Sequence, residues 1–327
     1  MTKKIPVWLL TALFVTTGPF VHAQQPTNIP RIAYLSLVSL PANAARTEAF
    51  RQGLRELGYV EGKNIVIEWR SADGKPDRLP SLAAELLRLK VDIIVTTGPS
   101  LTRAAKEGTS TIPIVMTNEV DPIGTGFVAS LARPGGNITG LSTLAPELSG
   151  KRLEILKEIV PKLSRVAILG TSTDPGYAQT LKEIELAAGA LTLKRQYLDV
   201  LSLKDIETAF RAANKGRAEA VFVLDGGVVN SQRIQVVELA VKNRLPTIYT
   251  NSLFVDAGGL MTYGVSITDL DRRAATYVDK ILKGAKTAEL PVEQPKKFEF
   301  IVNLKAAKQI GLTIPPNVLA RADRVIK

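Results

Sequence analysis

Cysteine is absent from this sequence of 327 residues, and histidine occurs once, as His22. Without a thiol the chain can form no disulfide, no cysteine nucleophile and no thiolate-ligated metal site. Aromatic residues make up only 6% of the chain, and no stretch alternates them with basic residues as nucleic-acid-binding modules do. These absences favour functions that depend on carboxylates, amides, hydroxyls and basic side chains.

The N-terminal segment has the pattern of a secretory signal peptide. Lys3 and Lys4 precede an apolar run over residues 5–20, and Val21-His22-Ala23 has the small residues of a cleavage site. The run is shorter than the roughly 20 residues that a membrane-spanning helix needs. We therefore expect cleavage after Ala23 and export to the periplasm, and since no Cys follows, we expect no lipid anchor.

Cleavage would remove His22 together with two Lys and no acidic residue, which lowers the formal net charge from +11 to +9. A mature chain without His or Cys cannot contain a Ser/His/Asp triad, a Cys/His triad or a His-ligated zinc. Its basic residues are mixed with acids, as in Arg46-Thr47-Glu48 and Lys151-Arg152-Leu153-Glu154. We assign them to solvated helix faces and expect no nucleic-acid partner, metal or cofactor.

Short β-branched runs alternate with amphipathic helical stretches in the mature sequence. In the first helical stretch Phe50, Leu54 and Leu57 recur at helical spacing, and Gly58 ends it. Strands separated by helices indicate βαβ units and a parallel sheet covered on both faces. The predicted strands are residues 31–37, 64–70, 92–96, 114–118, 165–169, 194–197, 220–224, 246–251, 260–265 and 297–302, and the later helices are residues 81–89, 177–189, 202–214, 266–283, 305–310 and a C-terminal helix from Pro316.

The pattern repeats within the chain. Arg165-Val166-Ala167-Ile168-Leu169 corresponds to Arg31-Ile32-Ala33-Tyr34-Leu35, and residues 246–251 correspond to residues 113–118. Arg31 and Pro113 are 82 residues apart, and Arg165 and Pro246 are 81 residues apart, which exceeds the roughly 20 to 50 residues of a stacked repeat. We therefore predict an α/β fold of two doubly wound parallel-sheet lobes, with the elements after residue 260 shared between them.

Open α/β sheets bind ligands beyond the carboxyl ends of their strands, so residues at the predicted strand exits are candidates for a site. In Thr97-Gly98-Pro99-Ser100 the glycine permits a tight turn, Pro99 suits the first helical position and Ser100 adds a hydroxyl beside free N–H groups. This turn could hold a small carboxylate or simply begin a helix. The candidates are Ser36, Thr97, Gly98, Pro99, Ser100, Asn118, Asp121, Thr143, Ser172, Tyr177, Asp225, Asn251 and Tyr263.

Asp225 ends a purely apolar strand and is followed by two glycines. Its carboxylate could bind a ligand ammonium or cap the next helix. Asp121 precedes Pro122, which is common turn chemistry. We assign two tyrosines to the core, Tyr34 and Tyr249, and for two others both a core role and ligand contact stay open, Tyr177 and Tyr263.

Several motifs of this chain resemble those of a known family. They are the Gly98-Pro99-Ser100 turn, Asp121-Pro122, Arg133-Pro134-Gly135-Gly136-Asn137-Ile138-Thr139-Gly140, and the closing segment with Phe300 to Ala307 and Gly311 to Pro316. Over nearly all of its mature length the chain is similar to the periplasmic substrate-binding proteins of ABC importers, in the family whose better-known members take tryptophan, tyrosine or phenylalanine. The resemblance implies the type I periplasmic binding fold, in which the chain passes between two lobes three times.

The resemblance also implies where the lobes and the ligand lie. The passages fall near residues 140–143, 263–265 and 291–298, and the lobes are residues 30–140 with 264–290 and residues 141–263 with 291–327. The carboxylate of an amino-acid-like ligand is placed at Thr97 to Ser100, and its amine near Asp225. The implied protein is a monomeric receptor that closes on a small molecule and delivers it to an inner-membrane ABC permease.

Two other functions remain open at this point. A ligand sensor that presents its closed form to a membrane signalling protein would have the same sequence features. An exported α/β enzyme that uses carboxylates or Lys as acid and base would need two close groups with opposed pKa shifts. No paired motif of that kind stands out in the sequence.

Overall fold

Two α/β lobes make up the computed structural model, which describes residues 29–295 and 298–327, so the predicted signal peptide lies outside the described residues. The strands are β1 Arg31–Ser36, β2 Val66–Ser71, β3 Ile93–Thr96, β4 Ile114–Glu119, β5 Ile138–Ser142, β6 Arg165–Gly170, β7 Lys194–Asp199, β8 Ala220–Val223, β9 Thr247–Tyr249, β10 Met261–Val265, β11 Phe298–Asn303 and β12 Arg324–Ile326. The α-helices are α1 Ala44–Glu56, α2 Leu79–Arg88, α3 Pro99–Gly108, α4 Ser149–Ile159, α5 Tyr177–Ala190, α6 Asp205–Lys215, α7 Gly227–Ser231, α8 Arg233–Lys242, α9 Ser252–Asp256, α10 Ile267–Leu282, α11 Leu304–Gln309 and α12 Pro316–Leu319, with short 3-10 helices at Pro41–Asn43, Pro76–Arg78 and Thr287–Glu289.

The two sheets have the same strand order, which confirms the two-lobed α/β fold predicted from the internal repeat. The first sheet runs β2-β1-β3-β4-β5 and is parallel throughout. The second runs β7-β6-β8-β9-β10 in the corresponding order and then adds β11 and β12. The strands β11 and β12 run opposite to the other five, since β11 pairs antiparallel with β10 and β12 pairs parallel with β11. The strand β12 was not among the predicted elements.

Both faces of each sheet are covered by helices, which explains the near-continuous apolar strands. In the first lobe one face packs against α2 and α3, and the other packs against α1 and α10. In the second lobe α4 and α5 cover one face, and α6 and α8 cover the other. Tyr34 and Tyr249 have no exposed surface, as predicted for core residues.

The chain passes between the lobes three times. The first passage leads from β5 to α4, and the second leads from β10 to α10, which packs against α1 of the first lobe. Before the third passage, Glu293 N–H donates to the Gly140 carbonyl and Ser142 N–H donates to the Glu293 carbonyl. Val292 lies in the core of the first lobe. Val292 and Glu293 therefore make these contacts with the first lobe.

The motif over residues 133–140 builds the entry to β5. Gly135 has φ 79, the left-handed region that favours glycine. Asn137 Nδ2 donates to the carbonyls of Thr109 and Ile112 at 3.3 and 2.8 Å. A Cβ atom at Gly140 would lie 2.0 Å from the Met116 carbonyl oxygen. This part of the resemblance thus reflects the packing of β5 on β4.

One predicted helix boundary is wrong. The helix α6 begins at Asp205 rather than Ser202, because the Asp205 carboxylate accepts the Ser202 and Leu201 N–H groups ahead of the first turn, at 2.7 and 3.1 Å. The C-terminal helix begins at Pro316, as predicted, and ends at Leu319, after which the chain forms β12 along the edge of the second sheet. No helix in residues 29–295 or 298–327 is long and apolar enough to span a membrane.

Candidate functional site

A cleft lies between the lobes where the carboxyl ends of the parallel strands face each other, as expected for open α/β sheets. The first lobe contributes the loops after β1, β3 and β4, and the second contributes the loops after β6, β8 and β9 together with one residue of α4. The empty space there amounts to about 710 Å³, including solvent at its mouth. Of the predicted site residues, the cleft is lined by Thr97, Gly98, Pro99, Ser100, Asn118, Tyr177 and Asp225.

The loop over residues 97–100 begins α3 at the edge of the cleft. Pro99 occupies the first helical turn, where its missing N–H costs nothing. Thr97 Oγ1 donates to the Leu35 carbonyl at 3.2 Å, so this hydroxyl is engaged within the first lobe. The loop therefore offers the cleft its backbone N–H groups and the Ser100 side chain.

Asp225 is held by three amides, one of which reaches it from the other lobe. Asn118 Nδ2 of the first lobe donates to Oδ2 at 2.8 Å. Asn230 and Asn251 donate to Oδ1 at 2.6 and 3.4 Å. No Lys or Arg of the described part of the chain forms an ion pair with Asp225 within 4.0 Å, so this carboxylate faces the cleft without a cation.

The remaining predicted site residues do not line the cleft. Most of them brace its loops through hydrogen bonds. Ser36 Oγ donates to the Val38 carbonyl, Thr143 Oγ1 donates to the Glu119 carbonyl, and the exposed Ser172 binds Asp199. Asn251 caps α9. Asp121 accepts the Gly124 N–H in a turn, and the ring of Tyr263 packs against Phe298 and Phe300.

Arg46 of α1 lines the cleft and was missed, because its sequence neighbours suggested a solvated helix face. It is 5% exposed. Its Nε and Nη2 atoms donate to the two oxygens of Asp271 at 2.6 and 3.2 Å, and Nη2 also reaches Thr117 Oγ1 at 3.2 Å. Burial alone would lower the pKa of Arg46, but the ion pair with Asp271 raises it overall. Arg46 of α1 thus contacts both β4 and α10, and Asp271 neutralises its charge.

Arg152 of α4 is the second basic residue that the sequence pattern assigned to solvent. It is 2% exposed, and part of its surface lines the cleft. Its guanidinium donates to two backbone carbonyls, from Nε to Tyr263 at 2.7 Å and from Nη1 to Ala145 at 3.0 Å. Burial lowers the pKa of Arg152 to about 10, against the attraction of Asp225, so the group is cationic at neutral pH.

Four more polar residues of the second lobe line the cleft and were not predicted: Asp174, Thr180, Asn230 and Thr250. Burial raises the pKa of Asp174 to about 6, and its carboxylate accepts the Gly227 N–H at 3.2 Å. Asn118 Oδ1, Asn230 Oδ1 and Thr250 Oγ1 are buried without a hydrogen-bond partner among the described residues. Because buried polar atoms are nearly always paired, these atoms indicate a polar occupant of the cleft. Asp174 lies two residues after the candidate Ser172, so its position at the exit of β6 was the signal in the sequence.

The two lobes touch each other across this cleft. Besides the bond from Asn118 to Asp225, Arg233 Nη2 of the second lobe donates to the Ala42 carbonyl of the first at 2.5 Å. A Cβ atom at Gly227 would lie 2.0 Å from Leu37 Cδ2 of the opposite lobe. The lobes are therefore in a closed arrangement.

Comparisons with known proteins agree with this architecture. A family model described as ABC transporter substrate binding protein matches residues 31–326. A tyrosine-binding protein of Clostridioides difficile is 25% identical over 286 residues, which are 86% of this chain and 81% of that protein.

Two similar solved structures differ in their ligand state. An ABC domain of Streptococcus pneumoniae in complex with L-Trp is 25% identical and has a TM-score of 0.84 over 91% of this chain and 99% of that one. A ligand-free, open substrate-binding protein of Clostridium difficile has the same identity and the same coverages, but a TM-score of 0.64. The family match covers nearly the whole described chain, and this chain belongs to the ABC transporter substrate-binding proteins.

Proposed function

We propose that this protein is an extracytoplasmic receptor that captures an amino acid, with an aromatic side chain as the first candidate, and hands it to an ABC permease. The observation that carries the proposal is a pair of opposite charges in one closed cleft, each without an ion-pair partner. Arg152 has no carboxylate partner and Asp225 has no cationic partner among the described residues, and both line the same space. An amino acid zwitterion supplies the missing charge to each of them.

The other two charged groups of the cleft differ in how they are compensated. Arg46 is neutralised by Asp271, whereas Asp174, with a pKa of about 6, is mostly ionised at neutral pH and accepts the Gly227 N–H. The apolar lining includes Leu37, Val38, Leu101, Val120, Leu224 and the ring of Tyr177. This combination of two polar anchors and an apolar wall suits a hydrophobic amino acid. The names of the tyrosine-binding relative and of the L-Trp complex support the same class of ligand.

Capture would follow from contacts that exist only when the lobes are closed. Asn118 and the residues 97–100 approach from the first lobe, while Asp225 and Arg152 approach from the second. A ligand that touches both sets stabilises the closed state in proportion to its differential affinity for that state. The signal-peptide pattern of residues 1–23 supports export before capture, and no bond-breaking chemistry is required, so we propose a receptor and not an enzyme.

The first experiment measures binding and turnover together. Purified mature protein is titrated with L-tryptophan, L-tyrosine and L-phenylalanine by calorimetry, and the mixtures are then examined by mass spectrometry for products. We expect saturable binding, a raised melting temperature and unchanged ligand. Failure of all twenty L-amino acids to bind would overturn the proposed ligand class, and product formation would favour the enzyme alternative.

Asp225 is proposed to hold the ligand ammonium. The variant Asp225→Asn keeps the size and part of the hydrogen bonding but removes the negative charge. We expect a loss of about 2 to 5 kcal/mol in binding, which is roughly a 30-fold to 5,000-fold weaker Kd by calorimetry. The matched control is Asp121→Asn, which retains the oxygen that accepts the Gly124 N–H outside the main cleft. Equal affinities of wild type and Asp225→Asn would contradict this role.

A further inference from the structure

We propose that Arg152, together with Thr250, forms the subsite that holds the ligand carboxylate and makes the receptor selective for acids over their neutral derivatives. The inference rests on the proposed function and deepens it, because it assigns the anionic half of the ligand to residues of the second lobe. Neither residue was among the candidates at the predicted strand exits.

The isolation of the buried guanidinium is the first argument. Arg152 forms no ion pair within 4.0 Å in the described chain, and residues 1–28, 296 and 297 contain no Asp or Glu that could supply one. Its partners are two neutral carbonyls, those of Tyr263 and Ala145. A buried cation is costly unless an anion compensates it. The exposed remainder of this cation faces the cleft, so a bound anion can reach it there.

Thr250 supplies an independent observation in the same cleft. Its Oγ1 is buried without a hydrogen-bond partner among the residues that the structure describes. A Cβ atom at Gly264 would lie 2.2 Å from the Thr250 carbonyl oxygen and 3.3 Å from Arg152 Nη2, so the glycine lets the backbone of Thr250 and the guanidinium approach each other. Both residues line the cleft, and a hydroxyl and a guanidinium are donors suited to a carboxylate.

The loop of residues 97–100 is the competing place for the carboxylate, and its surroundings are less favourable. The Thr97 hydroxyl is used by Leu35. Ser100 shares the cleft with Asp174, whose negative charge above its pKa of about 6 repels a second carboxylate. Arg46 is no substitute for Arg152, because Asp271 already binds it through both oxygens.

The position of Arg152 also connects ligand binding with the passages between the lobes. Ala145 lies in the first passage, and Tyr263 lies shortly before the second. The guanidinium that would bind the carboxylate is thus oriented by backbone carbonyls beside two of the three passages. Asp225 and Arg152 line the same cleft, as binding groups for the ammonium and carboxylate on a single α-carbon must.

The test compares acids with neutral derivatives in the same protein. Calorimetry measures the Kd values of the mature wild type for L-tryptophan, L-tyrosine and the corresponding amides, L-tryptophanamide and L-tyrosinamide. We expect the acid to bind about 100-fold more tightly than the amide. In Arg152→Gln this preference should fall below about threefold, and Arg152→Lys should keep part of it because it keeps the charge. The variant Ser100→Ala should retain the full preference.

The variant Thr250→Val tests the proposal even if the Arg152 variants do not fold, because it removes only a hydroxyl. It should weaken the acid about fivefold to tenfold and leave the amide nearly unchanged. An undiminished acid preference in Arg152→Gln, or its loss in Ser100→Ala alone, would overturn the proposal. Equal binding of acid and amide by the wild type would overturn it while the proposed function stands. If no L-amino acid binds the wild type, the proposed function fails and this inference fails with it.

Discussion

Arg46, Arg152 and Glu119 are ionisable side chains buried near the cleft, and the protein stabilises each in a different way. Arg46 has a carboxylate partner in Asp271, while Arg152 has backbone carbonyls and the open side of the cleft. Glu119 has no exposed surface, forms no ion pair among the described residues and keeps its proton instead, because burial raises its pKa to about 8. Glu119 and Arg152 are thus both buried without an ion pair, but Glu119 becomes neutral, whereas Arg152 keeps a charge that is available to a ligand.

Glu119 should make the stability of the protein depend on pH. Its pKa is raised in the folded state, so unfolding releases a proton above the unfolded pKa near 4.5, and stability falls as the pH rises from there to about 8. Glu119→Gln removes this ionisable group. We expect the variant to be more stable than wild type at pH 8 by roughly 2 to 4 kcal/mol, as measured by urea unfolding.

Asp174 also has a raised pKa, of about 6, so the comparison is sharpest between pH 6.5 and 8, where Asp174 is mostly ionised. The difference between wild type and Glu119→Gln should grow with pH in that interval. A constant difference across the interval would show that Glu119 is already ionised in the folded protein.

At the scale of elements, the helix ends agree with the sequence where the capping residue is adjacent to the helix. Gly58 and Gly284 follow α1 and α10 with φ values of 87 and 94, and the helix end at Gly58 was predicted. Ser266 caps α10 through a long 3.4 Å bond from Asp269 N–H. The predicted start of α6 at Ser202 was wrong, because the Asp205 carboxylate accepts the N–H groups of Leu201 and Ser202 and the helix begins after them.

Asn303 provides the strongest cap that the sequence did not single out. Its Oδ1 accepts the N–H groups of Lys305 and Ala306 at 3.0 and 3.2 Å at the start of α11. Asn303→Ala should lower the free energy of unfolding by about 1 kcal/mol. The control Ser266→Ala should cost less, because its single bond is longer. Chemical denaturation of the two variants measures both effects, and a larger loss in Ser266→Ala would contradict this ranking.

At the scale of the whole molecule, function depends on how closely the lobes approach. Leu37 of the first lobe packs over Gly227 of the second, and a Cβ atom at residue 227 would lie 2.0 Å from Leu37 Cδ2. Gly227→Val adds a branched side chain at this contact. It should oppose closure by about 1 to 3 kcal/mol and weaken ligand binding roughly fivefold to 150-fold.

Small-angle X-ray scattering provides a direct measurement of closure. The wild type should contract when saturated with ligand, and Gly227→Val should contract less or only at higher ligand concentration. Gly189→Ala is the matched control, because a Cβ atom there meets no atom within 4 Å. A Gly227→Val variant that binds and contracts like the wild type would show that the contact between Leu37 and Gly227 does not limit closure.

The sequence by itself determined the fold class and the approximate site. Alternation of apolar strands with amphipathic helices specifies parallel sheets, and the repeat of 82 and 81 residues specifies two similar lobes. Because parallel strands present their carboxyl ends at one edge of the sheet, the sequence alone predicts that residues at the ends of β3, β4 and β8 line a cleft. Asn118 and Asp225 were found for this reason.

Only the tertiary structure decided which helical residues enter the cleft. Arg46 and Arg152 stand among acids in patterns that are typical of solvated faces, and the sequence has no local signal for their burial. They are buried because α10 crosses back to pack on α1 and because α4 begins beside the passages between the lobes. Those contacts join residues that are distant in the sequence, such as Arg46 and Asp271, so local periodicity could not predict them.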